Sequence, residues 1–184
     1  LFSGASKNAR KLFNQSLISP NDNSVAQASW ASRHVSGLLI REASFKLPSA
    51  YEARAFEYYF KKNYNDAFVE SVKWLLDEPF ASRAARFTSF LASTFIEDHK
   101  ISCEISRFGL QLNPHNFDLL NNLAYSSCIL NDVVEAKEAI DKINYDALTE
   151  LEKIVYTATY GLWHYRMGNP IKGKELYQVA LKEA

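Results

Sequence analysis

Small residues recur along this chain at a fixed step. Ala55 is followed twelve residues later by Ala67, and then by Ser71, Trp74 and Pro79 at steps of four, three and five. From Ala124 the same steps reach Ala136, Ile140 and Ile143; from Gly161 they reach Gly173, Tyr177 and Ala180. Ser89 leads to Ser102 with one extra residue and then keeps step through Ser106, Gly109 and Pro114. Near the N-terminus Ala9, Phe13 and Ser16 preserve the second half of the pattern, with Pro20 after them. Internal repetition on this scale decides an architecture before any local propensity does.

The physical content of the pattern is a pair of antiparallel helices per unit. Small residues stand where two backbones cross closely, and bulky ones fill the space beside the crossing. One such pair is too small to bury its own apolar face, so successive pairs must stack and form a quasi-one-dimensional array. The turn signals agree. Asn63-Tyr64-Asn65-Asp66, Asn131-Asp132 and Gly168-Asn169-Pro170 fall between paired helical stretches, where caps are wanted, and Pro79 and Pro114 fall between units, where a helix stops.

These spacings resemble the tetratricopeptide repeat (TPR), a helix-turn-helix unit of about 34 residues. The residues that carry the resemblance best are Asn122-Leu123-Ala124 with Asn131-Asp132 and Glu135-Ala136, and Tyr160-Gly161 with Gly168-Asn169, Tyr177 and Ala180-Leu181. The resemblance implies an all-α chain, a right-handed superhelix (α-solenoid) of antiparallel helix pairs. It divides the sequence into an irregular N-terminal helical segment with a partial repeat, residues 1–50, and four repeats at about 51–81, 82–116, 117–150 and 151–184. Within residues 20–48 the stretches 24–33 and 38–45 read as helical, with a break at Gly37 and a stop at Pro48.

Composition narrows the classes of function. The chain is 47% hydrophobic, which suits a folded domain, and its 6 glycines and 5 prolines are about half the usual share, too few for the turns of a sandwich or barrel. Twenty-one basic side chains balance 21 acidic ones, so no net field draws the chain to a phosphate backbone or an anionic bilayer; no nucleic-acid or membrane partner is expected. Two cysteines, Cys103 and Cys128, cannot staple a domain of this size and read best as small buried packing residues, and a reducing, cytoplasmic setting is the expectation. The only methionine is Met167 and the chain opens at Leu1, so an excised domain or processed fragment is expected, with further chain after the last repeat.

Catalytic patterns are sparse. The sequence has no Gly-rich phosphate loop, no nucleophile elbow and no pair of histidines at metal-ligand spacing. His34, His99, His115 and His164 belong to four separate segments, and Glu135, Glu138 and Asp141 alternate with Lys137 and Lys142 as a solvated helix face does. Neither a metal, a cofactor nor a catalytic set is expected, and the chain reads as a non-enzyme.

In the resembled family the first helix of each unit lines a concave face, which here points to Glu52, Phe56, Tyr59 and Phe60; Arg83, Arg86, Phe90 and Ser93; Asp118, Asn121, Asn122, Tyr125 and Cys128; and Ala158, Leu162, Tyr165 and Arg166. From these, Phe56, Tyr59, Arg86, Phe90, Asn122, Tyr125, Tyr165 and Arg166 form the expected surface for a partner peptide or helix. Two readings of the rings stay open, partner contact or packing between units, and the hydroxyls of Tyr59, Tyr125 and Tyr165 favour a wet edge. Some members of that family grip a terminal carboxylate with Lys, Asn and Arg on three successive first helices. Only Arg86 and Asn122 fall at matching places here, with Phe90, Val155 and Thr159 at the others, so that mode is disfavoured. Arg86 either joins Asn122 in offering donors to a ligand or pairs with Asp118 as a structural link. The expected role is a scaffold or adaptor module. The alternatives are a recruiting segment of a larger enzyme or signalling protein, and weak self-association through Ile171, Leu176, Val179 and Ala180 of the last helix.

Overall fold

The computed structural model describes residues 6–184. Ten α-helices and two short 3-10 turns make up its regular structure, and no strand occurs among the described residues. The chain divides into two compact units, Leu1–Asp77 and Glu78–Ala184.

The first unit holds α1 (Ser6–Ser16), α2 (Asp22–Ser32), α3 (Tyr51–Phe60) and α4 (Tyr64–Asp77). Helix α2 starts on a reciprocal cap, in which Asn21 accepts from the Ser24 N–H and Ser24 returns a bond to the Asn21 N–H. Residues 38–45, expected to be helical, are not an α-helix. Gly37 turns the chain at φ +76°, Leu38 is buried against Ala31 and Val35, and only Glu42–Lys46 winds, as a 3-10 turn. Arg54 of α3 holds the end of this segment. Its guanidinium donates to the carbonyls of Phe45 (3.2 Å), Leu47 (2.6 Å) and Pro48 (3.2 Å), while its Nε donates to Glu70 of α4 at 2.6 Å. Burial pushes the Glu70 carboxyl up, but hydrogen bonds from Lys73 and Arg54 outweigh it and hold the group below the usual carboxylate range.

The second unit holds three helix pairs: α5 (Ser82–Thr94) with α6 (His99–Leu112), α7 (Phe117–Ile129) with α8 (Val133–Asp141), and α9 (Glu150–Arg166) with α10 (Pro170–Glu183). Each helix packs on its partner, and the first helices of the pairs also touch one another, α5 on α7 and α7 on α9. The expected crossing residues lie at the tight places. Ala55, Ala67, Ser89, Ser102, Ala124 and Ala136 are wholly buried, and Ser102 Oγ donates to the Ser89 carbonyl at 3.0 Å. A methyl placed on Gly173 would sit 2.9 Å from the Gly161 carbonyl oxygen, closer than side-chain carbons normally approach.

One turn design joins all four helix pairs. The second residue before each second helix adopts the left-handed conformation: Lys62 at φ 61°, Glu97 at 58°, Asn131 at 68° and Gly168 at 75°. An Asn or Asp follows in every case. Its side chain receives an N–H of the new helix in Asp98 to Ile101 (3.0 Å), Asp132 to Glu135 (3.0 Å) and Asn169 to Lys172 (3.2 Å), and more weakly in Asn63 to Asp66 (3.5 Å). Its own N–H closes the old helix, donating five residues back from Asn63, Asp132 and Asn169 to Tyr58, Ser127 and His164 at 2.8 to 2.9 Å. Asp98 reaches six back, to Ala92 at 2.9 Å, so the extra residue between Ser89 and Ser102 is absorbed in the turn and the crossing stays in register.

The crossing predicts a specific sensitivity. Ala136 has no exposed surface, so Ala136→Leu overpacks the α7–α8 contact and should cost about 1 to 3 kcal/mol. Glu138, two residues on, is exposed, and Glu138→Leu should change stability by no more than about 0.5 kcal/mol. Urea unfolding of the two variants checks this; equal midpoints would mean that the helical phase is wrong.

Candidate functional site

An open cleft of about 570 Å³ lies in the second unit, where α5, α7 and α9 run side by side. Helix α5 gives it Phe90, Ser93 and Thr94; α7 gives Asp118, Asn121, Asn122 and Tyr125; α9 gives Ile154, Val155, Ala158 and Thr159; and α10 gives Tyr177. The spacing explains the set. Asp118, Asn121, Asn122 and Tyr125 fall at i, i+3, i+4 and i+7 on one face of α7, and Val155, Ala158 and Thr159 fall at i, i+3 and i+4 on α9.

The cleft is supported from beneath by a polar ladder. Asn122 Nδ2 donates to Ser89 Oγ at 2.8 Å, Ser89 Oγ to the Arg86 carbonyl at 3.0 Å, and Ser126 Oγ to Ser102 Oγ at 2.9 Å. At one edge Arg86 Nε lies 2.6 Å from Asp118 Oδ2, with both side chains about two-fifths exposed. The two groups expected to offer donors to a ligand are therefore engaged with the protein: Arg86 pairs with Asp118, and Asn122 ties α7 to α5.

The other expected residues are placed as follows. Phe90 and Tyr125 line the cleft; Phe90 packs edge-on to Phe95 at 5.6 Å between ring centres, and Tyr125 edge-on to His99 at 5.7 Å. Tyr165 is two-fifths exposed and 5.7 Å from the ring of Tyr177, while Arg166, exposed at the end of α9, lies close enough to Cys128 and Tyr177 for its charge to favour their ionised forms. Neither lines the cleft. Phe56 and Tyr59 belong to the first unit, where they form an aromatic row: Phe56 packs on Trp74 at 6.1 Å and Phe60 at 6.5 Å, and Tyr59 on Phe60 at 5.5 Å and Tyr64 at 6.0 Å. Cys128, placed by helical phase on the open face, is wholly buried, and burial pushes its thiol up to about 11. On α10, Ile171 and Val179 are exposed, Leu176 is half-buried and Ala180 is buried.

Tyr177 was not foreseen as a lining residue, because it sits on a second helix. Gly161 admits it: the Tyr177 ring comes within 3.1 Å of the place a Gly161 side chain would occupy, which brings it over α9 to the cleft. Burial, followed by the charges of Tyr125 and Cys128, raises the Tyr177 hydroxyl above its ordinary pKa, so it stays a neutral donor and acceptor.

A second cleft, about 460 Å³, opens between α6 and α8 over Leu120 and Leu123. Its rim holds Arg107 and Glu135, joined by two hydrogen bonds at 2.6 and 2.8 Å; that pairing, with a bond from Ser127 Oγ at 2.7 Å, holds the Glu135 carboxyl below the usual range despite partial burial. Charges of both signs thus cancel around it.

No helix among the described residues is long and apolar enough to cross a membrane. The chain matches no protein-family model and no curated protein.

The contacts of Arg86 and Asn122 give a stability prediction. Arg86→Ala removes a half-exposed ion pair and should cost under about 1 kcal/mol. Asn122→Ala, which breaks the α7–α5 bond beneath the cleft, should cost about 1 to 2 kcal/mol. The double variant should unfold at a clearly lower denaturant concentration; an unchanged midpoint would show that the two side chains stand free for a ligand.

Proposed function

We propose that this chain is a protein–protein interaction module of TPR-like build, its helix pairs continuing as a right-handed superhelix, which binds an extended segment of a partner protein in the α5–α7–α9 cleft. The observation that carries the reading is the cleft itself. It combines rings (Phe90, Tyr125, Tyr177), aliphatic surface (Ile154, Val155, Ala158) and hydroxyl or amide groups (Thr94, Asn121, Thr159) on four helices, α5, α7, α9 and α10, that are packed before any ligand arrives. Such a preformed surface spends little ordering entropy on binding, and its alternation of apolar and hydrogen-bonding groups suits a peptide, whose backbone and side chains present both. The four copies of one turn design support a repeat origin for the pairs. Two unpaired, buried cysteines fit a cytoplasmic setting, which we propose on the same footing.

A selection from a random displayed peptide library tests this. The 184-residue chain should enrich a consensus that the Tyr125→Ala variant, unchanged in its unfolding midpoint, fails to retain. Enrichment that is indifferent to Tyr125, or no enrichment, would remove the cleft as a peptide site.

A further inference from the structure

Resting on the reading of the cleft as a peptide site, we infer that its ligand presents a basic side chain, a lysine ammonium or arginine guanidinium, seated on Asp118, Asn121 and Tyr125 of α7.

Three observations converge. Asn121 is 8% exposed and its Oδ1 has no hydrogen-bond partner, although the residue lines the cleft. A buried carbonyl oxygen left unpaired is costly, and a modest turn of the amide towards the cleft would let an incoming N–H relieve it. Asp118 is the only charged side chain among those that line the cleft. Its contact with Arg86 comes from Nε on one oxygen, and at about two-fifths exposure a carboxylate with roughly four lone-pair sites has room for a second donor. Tyr125 completes the stripe. Asp118, Asn121 and Tyr125 stand at i, i+3 and i+7, so a carboxylate, an amide oxygen and a ring face follow one another along one side of α7, with Phe90 opposite on α5. Carboxylate, neutral acceptor and aromatic ring are the three groups that favour a cation, the last through its quadrupole.

The same inventory argues against an anionic ligand. Arg86 is ion-paired with Asp118 and lies outside the lining, the Asn122 amide is bonded to Ser89, and no lysine or arginine lines the cleft. Arg166 lies beyond Tyr177, outside the lining. At the Arg86 edge, the nearby Glu152 of α9 adds a second carboxylate to Asp118 around that guanidinium.

The test uses the strongest peptide from the library selection, synthesised as selected, with its basic residue replaced by norleucine, and with its sequence scrambled at constant charge. Binding is followed by fluorescence anisotropy at two salt concentrations. The inference expects the norleucine peptide and the scrambled peptide each to bind about tenfold more weakly or worse, and added salt to weaken only the basic peptide strongly. On the protein side, Asn121→Asp, which keeps an acceptor oxygen and adds charge, should bind the basic peptide at least as well as the wild type. Asn121→Leu should lose about tenfold. A consensus that depends on Tyr125 but carries no basic residue, or equal losses from Asn121→Asp and Asn121→Leu with both variants folded, overturns the cation site and leaves peptide binding standing. No Tyr125-dependent consensus overturns both.

Discussion

Close approach of two backbones within each helix pair is the constraint from which the rest of this structure follows. Where α9 and α10 cross, a methyl on Gly173 would meet both the Gly161 carbonyl and the Tyr165 ring within 3.0 Å, and one on Gly161 would lie tight against α10 at 3.1 to 3.2 Å. Where α7 and α8 cross, alanines serve, and where α5 and α6 cross, two serines do, with Ser102 Oγ donating across the contact to the Ser89 carbonyl. Helices this close leave no room for a large side chain at the crossing. The bulky ones are displaced to its flanks, where Leu120, Leu123 and Ile140 build the core with Tyr156, Tyr160 and Trp163 around it.

Crossing and turn are coupled. A left-handed residue followed by an Asn or Asp cap reverses the chain in three residues in three of the pairs and in four between α5 and α6, and the N–H of the cap residue seals the preceding helix. That sets the sequence distance between the two small residues of a pair. The insertion between Ser89 and Ser102 shows how firmly the crossing governs: the added residue lengthens the loop and leaves both serines buried. Lys62 and Glu97 accept a backbone conformation that side chains disfavour, which shows that the turn outweighs local preference at those positions.

Much of this was legible from spacing alone, because close crossings demand small residues and leave a numerical trace. The helix pairs from Tyr51 onward and the caps at Asp132 and Asn169 could be read that way, whereas the face that holds Phe90, Asn122 and Tyr125 was offered by the family resemblance. Side-chain partnerships could not. Helical phase puts Arg86 and Asn122 on the open face, but it does not say that Asp118 and Ser89 already occupy them. Phase also offers Cys128 to that face, while its reading as a small buried packing residue is the one the structure shows. Tyr177 was hidden for a different reason: its reach depends on the missing side chain of Gly161, a relation between two helices that no single periodicity contains. The segment after Gly37 reads as helical from its apolar residues, but these pack inward without winding, and the carbonyls that follow them bond to a distant arginine.

The cleft inherits its shape from the same constraint, since tight pairing sets α5, α7 and α9 side by side and Gly161 lets Tyr177 in over α9. Its inventory of one carboxylate, one unpaired amide oxygen and several rings is what remains once the polar ladder has used the donors. Everything therefore turns on the crossing, and nuclear Overhauser effects in solution measure it directly. The account predicts strong cross-peaks linking the α-protons of Gly161 and Gly173, and the methyls of Ala124 with those of Ala136. Absence of both, with α-helical chemical shifts intact on all four helices, would contradict it.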